Sequence, residues 1–238
     1  VVIVPCLNEA DNIRGTVAAI LEVAAELPTD VTPLLIDDGS TDGTDQVIAE
    51  LCDEHGCQAV YNPRNLGVGR SLLSAYETLE PGTWVTIMPG DNEIDFASIK
   101  HFVAIRHDYD LILGYLRNPI IRPLRRRLAS FAYMRTVQTI YGFPYRYLNG
   151  MKLFRSEVFR GISVQASGHA FNSELLAKAI LRDPDLRIGE APFIARGRAA
   201  GTSKAIRPTA IARAIYEVGV GWQSVAAYRD KIIRGPRD

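Results

Sequence analysis

Carboxylate and amide side chains follow three apolar stretches of the sequence, at the points where those stretches end. They belong to Asn8, Glu9, Asp37, Asp38, Asp91 and Glu93. In an open α/β sheet, the carboxyl ends of parallel strands meet at one edge, and ligands bind there. Such groups hydrogen-bond a ribose or a base, and carboxylates also ligate divalent ions. The spacing therefore predicts a polar ligand site at one edge of a parallel sheet.

The stretch "VPCLNEADN" places Asn8 and Glu9 between a strand and the start of a helix. Side chains at such a place can meet a ribose or a base, while backbone N–H groups of the helix start can meet a phosphate. A capped helix with exposed acids explains the same residues. For so short a motif, that structural interpretation is favoured when the motif stands alone.

The stretch "LLIDDGSTDGT" is more specific, because Asp37 and Asp38 end a buried strand although like charges repel each other. The pair makes sense if one carboxylate binds a base or ribose and the other binds the loop. Gly39 and Gly43 give that loop backbone freedom and allow a ligand to approach closely. The alternative is a turn that is simply rich in aspartate and glycine.

The stretch "NPRNLGVGRS" resembles a glycine-rich phosphate loop. It lacks the Lys-Ser/Thr ending of a P-loop and the three-glycine spacing of dinucleotide-binding loops. We therefore expect Gly67 and Gly69 to shape the entry of a helix, with Asn65 or Arg64 facing the cleft.

In "WVTIMPGDNEIDFASI", a strand is predicted to run into an acidic turn and then into a helix capped by Asp95. Asp91 and Glu93 would lie on the same side if this stretch stays extended. They either hold a metal ion or merely end the strand.

Composition narrows the function classes. Lys plus Arg and Asp plus Glu are both 27, so the net charge is zero, which argues against a general nucleic-acid binder. The cysteines, three in number, lack paired ligand spacing and are predicted to be reduced cytosolic thiols. The four histidines show no metal spacing. No apolar run approaches the roughly 18 residues of a membrane span, and we expect no signal peptide. The chain opens in a strand without Met, so a trimmed segment or anchor is left open.

Strand and helix signals alternate through the first half of the chain, which predicts an α/β fold with a mainly parallel sheet and helices on both faces. The later half adds helices near 124–141 and 171–182, and strands at "NGMKLFR" and "LRIGEAPFIARGR". A C-terminal helix near 206–230 places Ile211, Ile215, Val218, Trp222 and Val225 on one face. We predict one domain, 1–238, with halves at 1–115 and 116–205 and the C-terminal amphipathic helix in 206–238.

The order of these motifs resembles family 2 glycosyltransferases over about residues 1–205. The motifs are "VVIVPCLNE", "LLIDDGSTDGT", "RNLGVGRSLLSAYE", "DLILGYLR", "NGMKLFRSEVF", "FNSELLAKAI" and "EAPFIARGRAAGTSK". Within that family, the chain is most similar to dolichyl- or polyprenyl-phosphate sugar transferases. The resemblance implies a GT-A fold with a Rossmann-like donor half and a variable acceptor half.

The resemblance also assigns candidate roles on the donor side. The residues implied in nucleotide binding are Pro5, Leu7, Asn8, Glu9, Asp37, Asp38 and Gly67. Asp91 matches the second acid of the family's Asp-x-Asp metal motif, whereas the first acid is replaced by Pro89. Glu93 stands where close relatives have glutamine, so it can make up for the missing acid beside a Mg²⁺ or Mn²⁺ ion. The alternative is a metal-independent or inactive site.

On the acceptor side, the resemblance implies a set of basic and hydroxyl groups that meet a diphosphate or an acceptor phosphate. The set comprises Arg117, Arg125, Arg126, Arg127, Arg196, Arg198, Ser203 and Lys204. A solvated helix face is the alternative for the arginine run, and an anionic membrane surface is a further one. Glu174 is the candidate base for a hydroxyl acceptor, with a helix N-terminal acid as its structural alternative.

The expected activity is inverting, metal-assisted sugar transfer by a hexosyl- or N-acetylhexosaminyltransferase, with Asp91, Glu93 and Glu174 as catalytic candidates. The donor would be a UDP- or GDP-sugar, and the acceptor a polyprenyl phosphate or a small hydroxyl compound. We expect a cytoplasmic protein, and peripheral attachment at the inner face of the membrane is left open. One alternative is a nucleotidyltransferase that forms a nucleotide-sugar, although the glycine-rich basic signature of that class is missing. The other is a catalytically silent nucleotide- or partner-binding module.

Overall fold

The computed structural model describes residues 1–121, 123–196 and 208–234, without the side chains of residues 121, 126, 169, 208–213 and 215. The strands are β1 (Val2–Cys6), β2 (Pro33–Asp37), β3 (Gln58–Tyr61), β4 (Trp84–Ile87), β5 (Leu111–Leu116), β6 (Lys152–Arg155) and β7 (Ile188–Phe193). The helices are α1 (Ile13–Ala24), α2 (Thr44–His55), α3 (Val68–Thr78), α4 (Ile99–Ile105), α5 (Leu124–Tyr141), α6 (Phe171–Arg182) and α7 (Pro208–Arg234).

All of these strands join one sheet in the order β3-β2-β1-β4-β6-β5-β7. The pairs β1–β2, β1–β4, β2–β3 and β5–β7 are parallel, whereas β6 runs antiparallel to both β4 and β5. The mainly parallel α/β sheet expected from the sequence is thus confirmed. The insertion of β6 between β4 and β5 is a new feature, and it brings strands from both predicted halves into one sheet.

The strands β1 and β2 are nearly continuous apolar runs because helices cover both faces of this part of the sheet. In β1, Ile3 faces a core shared with α3, α5 and α6, while Val2 and Val4 face a core shared with α1, α2 and α4. In β2, Leu34 and Ile36 take the first side and Leu35 the second. The alternation of side chains along each strand therefore builds a three-layer arrangement.

The C-terminal helix α7 packs against α5 and α6, as its apolar spacing suggested. Its buried face is rotated relative to the predicted one. Val218 is 5 % exposed, but Trp222 is 53 % exposed, so Trp222 does not share the buried face. Gly221 faces the core instead, where a Cβ atom would lie 3.1 Å from the Tyr141 hydroxyl. Among the residues that the structure describes, no helix combines the length and apolar character needed to cross a membrane.

One buried amine lies at the start of β6. Lys152 is 7 % exposed, and its Nζ donates to the carbonyl oxygen of Gly150 at 3.3 Å. Burial lowers the pKa of Lys152 to about 7, because the interior solvates an ammonium ion poorly.

We expect Lys152→Met to raise the free energy of unfolding most at and below about pH 7, where the buried charge is present in the folded protein. The unfolded lysine keeps its ordinary pKa of 10.5, so the penalty fades as pH rises from about 7 towards that value. Native stability should therefore rise relative to the variant by up to about 1.4 kcal/mol per pH unit across this window. Urea denaturation of both proteins across the window measures the effect, and parallel curves would contradict it.

Candidate active site

The carboxyl ends of β1, β2, β3 and β4 meet at one edge of the sheet, and four loops rise from it. The chain leaves β1 for β2 on one side, and β4 pairs with β1 on the other. This is the point where the strand order reverses, which is where open α/β sheets bind ligands. The polar residues predicted to form a site are therefore brought to one place by the topology.

The loop after β1 is joined to the loop after β2 by hydrogen bonds. The backbone N–H of Asn8 donates to Ser40 Oγ at 2.9 Å, and the N–H of Thr41 donates back to Asn8 Oδ1 at 2.9 Å. The N–H of Glu9 donates to Thr44 Oγ1 at 2.9 Å. Asn8 adopts a left-handed backbone with φ of 57°, which its short amide side chain tolerates. The side-chain amide oxygen of Asn8 is thus engaged in holding the two loops together.

The two adjacent aspartates at the end of β2 have different surroundings. Asp38 is 3 % exposed, and its carboxylate accepts from Asn62 Nδ2, Ser71 Oγ and the backbone N–H groups of Leu66 and Gly67, at 2.9 to 3.0 Å. These donors all belong to the loop after β3 and the start of α3. Asp38 therefore ties the second loop to the third.

Asp37 is 4 % exposed, and among the described residues its carboxylate accepts from one group, the backbone N–H of Ser40 in its own loop, at 3.1 Å. It lines an open cleft of about 880 Å³ together with Tyr61, Arg64 and Asn65. The predicted exposure of Arg64 or Asn65 to the cleft is consistent with this lining. Gly39 also lines this cleft. It has no room for a side chain, because a Cβ atom there would lie 2.4 Å from the backbone carbonyl carbon of Arg64.

Other predicted donor-side residues lie at the same edge of the sheet. Gly67 precedes α3 with φ of 87°, and its N–H also donates to Asn65 Oδ1 at 2.9 Å, so it shapes the helix entry as expected. Pro5 is in β1, and Leu7 directly after it is 40 % exposed. Burial and the nearby charges of Glu9 and Asp37 raise the pKa of the Cys6 thiol to about 12, so this thiol stays protonated at neutral pH.

The acidic turn after β4 packs on the end of β1. The N–H of Gly90 donates to Pro5 O at 3.3 Å, and Thr16 Oγ1 donates to Gly90 O at 2.9 Å. A Cβ atom at Gly90 would lie 2.9 Å from Cys6 Sγ, so only glycine fits without a shift. The turn therefore lies directly beside the loop after β1, which we call the first donor loop.

The turn is not extended, contrary to the condition under which Asp91 and Glu93 would lie on one side. Asn92 between them has φ of 53°, and Asp91 Oδ1 accepts from the N–H of Glu93 at 3.1 Å. Asn92 Oδ1 is buried and has no hydrogen-bond partner among the described residues. In the described part of the chain, no group of three His, Cys, Asp or Glu side chains is placed to hold a metal ion. Asp91 and Asn92 offer oxygen donors, which suit Mg²⁺ or Mn²⁺ when phosphate and water complete the shell.

The acidic turn is also fastened to the segment after β7. The N–H of Arg196 donates to Glu93 O at 2.7 Å, and the N–H of Asp95 donates to Ile194 O at 2.9 Å. Arg196 Nη2 donates to Asp95 Oδ1 at 2.9 Å. Asp95 also accepts from the N–H of Ala97, as expected for the capping residue. The basic segment that begins at Arg196, which we call the late basic segment, therefore starts beside the acidic turn. The other candidates in it, Arg198, Ser203 and Lys204, lie outside the described residues.

The acceptor-side arginines lie past the end of β5. The N–H of Arg117 donates to Phe193 O at 2.9 Å, which extends the β5–β7 pairing. Arg125 and Arg127 are in the first turn of α5, and Arg127 lines an apolar groove next to that helix. The side chain of Arg126 is outside the described part of the structure.

Glu174 is placed as a scaffold residue. It is fully buried, and its carboxylate accepts from the N–H groups of Gln165 and Ala166 at 3.0 and 2.7 Å. It also pairs with Lys178 Nζ at 2.7 Å. Lys178 in turn donates to Ser224 Oγ of α7 at 2.8 Å. These contacts favour the structural alternative for Glu174 over a base that must reach an acceptor.

Sequence analysis missed Asn62 and Ser71 as partners of Asp38, and Ser40 and Thr41 as partners of Asn8. A signal existed for Asn62, because it follows β3 as Asn8 follows β1. No signal existed for Ser71, since a serine in the middle of a helical pattern carries no mark of its partner.

Comparisons with known proteins agree with this architecture. The family model described as "Glycosyl transferase family 2" matches residues 1–169. A dodecaprenyl-phosphate galacturonate synthase from Rhizobium johnstonii is 25 % identical over 207 residues, which cover 85 % of this chain and 60 % of that protein. The dolichol-phosphate mannosyltransferase of Saccharomyces cerevisiae is 25 % identical over 213 residues, which cover 85 % of this chain and 79 % of that protein.

Solved structures show the same fold. Glucosyl-3-phosphoglycerate synthase from Mycobacterium tuberculosis, in complex with Mn²⁺, UDP-glucose and phosphoglyceric acid, matches with a TM-score of 0.62 at 17 % identity. The match covers 92 % of this chain and 79 % of that one. The sheet and its helices are those of a GT-A fold, the architecture of nucleotide-sugar-dependent transferases. The chain belongs to glycosyltransferase family 2, since the family model covers more than half of its length.

The two aspartates of β2 give a matched pair of variants. We expect Asp38→Ala to destabilise the protein by about 2–4 kcal/mol, because several buried donors lose their acceptor. Asp37→Ala should cost less stability, because one backbone N–H loses its acceptor, and it should weaken nucleoside diphosphate binding by about 1.5–3 kcal/mol, with or without metal. Urea denaturation and calorimetry separate the two effects. Unchanged nucleotide affinity in Asp37→Ala would assign Asp37 to the scaffold as well.

Proposed function

We propose that this glycosyltransferase moves a sugar from a UDP- or GDP-sugar to a polyprenyl phosphate, with inversion at the anomeric carbon and with a divalent ion on the donor diphosphate. The observation that carries the proposal is the joining of the acidic turn both to the first donor loop and to Arg196. This arrangement puts oxygen ligands and a cation next to the loop after β1. Relatives named for dodecaprenyl phosphate and dolichol phosphate support the choice of acceptor.

Asp37 is the donor-side group that we assign to the nucleoside. Asp37 lines the open cleft, and its carboxylate is held by one backbone N–H among the described residues, so it has further capacity to accept from a base or a ribose. The joined loops fix this position before a ligand enters. We assign the other predicted nucleotide residues to shaping the pocket.

We assign metal binding to the acidic turn. Asp91 and Asn92 supply oxygen atoms there, and Glu93 completes the set directly or through water. When bound, a Mg²⁺ or Mn²⁺ ion would neutralise charge on the donor diphosphate. Structures of the glucosyl-3-phosphoglycerate synthase with Mn²⁺ and UDP support this choice of ion.

In the proposed step, an acceptor oxygen forms a bond to the anomeric carbon from the face opposite the diphosphate. The bond from that carbon to the diphosphate oxygen breaks, and nucleoside diphosphate leaves with the electron pair. Arg196 lies beside the acidic turn and would stabilise the charge on the leaving group.

The buried state of Glu174 favours a phosphate acceptor over a hydroxyl acceptor. A hydroxyl group needs a base within hydrogen-bond reach to take its proton. A phosphate monoester has a second pKa of about 6 and is already ionised near neutral pH, so it attacks without a base. We therefore assign acceptor binding to cations, namely Arg117, Arg125, Arg126 and Arg127.

We also propose peripheral contact with an anionic membrane surface near α5. Ile120 is 82 % exposed and lies between Arg117 and Arg125 in the sequence. An apolar side chain flanked by arginines is typical of segments that insert shallowly among lipid head groups.

The metal proposal predicts that Asp91→Asn abolishes metal-dependent turnover while leaving the melting temperature unchanged. Asparagine keeps the oxygen that accepts from the N–H of Glu93, so the turn is retained, but it removes the charged metal ligand. Glu93→Gln should lower metal affinity without eliminating turnover. Turnover against Mn²⁺ concentration checks both variants, with Asp108→Asn on the far side of the fold as control. Native turnover that persists under strong chelation would contradict the proposal.

The acceptor proposal predicts that Arg117→Glu raises the acceptor KM by about tenfold or more and spares donor affinity, because a charge-assisted contact to phosphate is lost and a repulsion is added. Arg135→Glu on α5 adds the same charge change away from the end of β5 and should have little effect. Steady-state kinetics with calorimetry of UDP binding compares them. An equal loss of donor and acceptor binding would point to a donor-phosphate role or a folding defect.

A further inference from the structure

An apolar groove of about 440 Å³ lies between the end of β5 and helix α5. Its outer wall is formed by Leu124, Leu128 and Phe131, which are 60 to 66 % exposed and follow one another along one side of the helix. Met134, at 5 % exposure, lies at the inner end. The size of the groove is in the range of sites that bind small organic ligands. A ligand that is recognised only through polar groups would not require such an apolar lining.

Two arginines line the same groove, one on each side. Arg127 comes from α5, and Arg146 comes from the segment before β6. The guanidinium carbon of Arg146 lies 3.5 Å from the centroid of the Tyr115 ring. Glu190 accepts from the backbone N–H of Arg146 at 2.8 Å and from its Nε at 3.0 Å. The guanidinium is thus held in a fixed place at the groove.

We propose that this groove binds the hydrocarbon chain of a phosphate-headed amphiphile, and that Arg146 and Arg127 together hold its anionic head at the groove mouth. The inference rests on the proposed function for the choice of a phosphate head. It adds a binding site for the chain of the acceptor and a head-group residue, Arg146, that the family resemblance did not supply.

Charge and polarity at the groove support this occupant. The apolar wall would be covered by a hydrocarbon chain, and each methylene so buried contributes about fourfold in affinity. Glu190 offsets one positive charge, yet Nη1 and Nη2 of Arg146 are not used by that ion pair and can donate to phosphate. A small polar acceptor would fill the mouth and leave the wall of Leu124, Leu128 and Phe131 uncovered.

The test is equilibrium binding without any donor, by calorimetry on the whole chain. The probes are geranyl phosphate, inorganic phosphate and geraniol, which carry head and chain, head alone and chain alone. We expect geranyl phosphate to bind at least about tenfold more tightly than either of the others. Equal affinities for geranyl phosphate and inorganic phosphate would overturn the inference, and so would a lack of binding by geranyl phosphate.

Variants separate the site for the hydrocarbon chain (the chain site) from the site for the phosphate head (the head site). Leu128→Ser and Phe131→Ser should each weaken geranyl phosphate by about tenfold and leave inorganic phosphate unchanged, because they shorten the apolar wall. Ile233→Ser removes an equally exposed apolar side chain from α7 and serves as control. Arg146→Gln should weaken both phosphates and spare geraniol, with partial recovery in Arg146→Lys. Wall variants that behave like the control would overturn the chain site.

Calorimetry of UDP and of GDP with Mn²⁺ on the same proteins keeps the inference apart from the proposed function. If the native chain bound neither nucleotide, the transferase proposal would fail, and the geranyl phosphate result would still decide the groove. Sedimentation of each variant tests a second copy of this chain as the occupant. If wall variants change the oligomeric state and not geranyl phosphate binding, the groove is a subunit contact and the inference fails.

Discussion

The edge of the sheet that carries the predicted donor site depends on the hydrogen bonds of the Asp38 carboxylate. This carboxylate is almost fully buried, and its oxygens accept from two side chains and two backbone N–H groups of the segment that enters α3. A buried carboxylate is tolerated only when its oxygens are satisfied in this way. The contact brings the third loop so close to the second that Gly39 has no room for a Cβ atom against Arg64. Because Asp38 is occupied by the scaffold, its neighbour Asp37 is left to face the cleft.

The acidic turn depends on a second constraint of the same kind, in which backbone contacts fix polar side chains. Gly90 is pressed between β1 and the first loop, and Asn92 takes a left-handed backbone beside it. The following residues are bonded to the segment after β7. The replacement of an expected acid by Pro89 therefore leaves the turn well held, since its fixed φ adds to a conformation set by neighbours on both sides. Donor-side acids and the late basic segment are joined by backbone hydrogen bonds and the Arg196–Asp95 ion pair, and their spacing is fixed with the fold.

The sequence predicted every strand and most of the helices, because strands inside the sheet such as β1, β2 and β5 are buried apolar runs. It did not predict that β6 lies between β4 and β5, since strand order depends on pairing over long stretches of chain that periodicity does not record. The exposure of Trp222 was missed for a similar reason. The orientation of α7 is set by polar contacts, Ser224 to Lys178 and Glu217 to Ser167, which an apolar pattern cannot reveal.

The residues of the site also divide into those that local sequence predicts and those whose contacts lie far away in the chain. The position of Asp37 at the end of a strand and the capping by Asp95 at the start of a helix were predictable, because both follow from the local sequence. The contacts of Asn8 and Glu174 were not, because their partners lie elsewhere in the chain. Asn8 bonds Thr41, and Glu174 bonds backbone groups ahead of α6 as well as Lys178. An acid near a predicted cleft can equally be a base or a buried anchor, and only its burial separates the two.

The burial of Glu174 has a chemical consequence for the acceptor half. Its ion pair with Lys178 joins α6 to the segment before it and to α7, and a buried pair of this kind is strongly destabilised when one partner alone is removed. A group fixed so firmly in the scaffold cannot also swing to take a proton from an acceptor. Under the proposed function, the acceptor-side half presents arginines, which would hold an anion and leave its charge in place. An acceptor that brings its own negative charge needs positioning and charge compensation from the protein, and arginines beside an apolar groove would supply both.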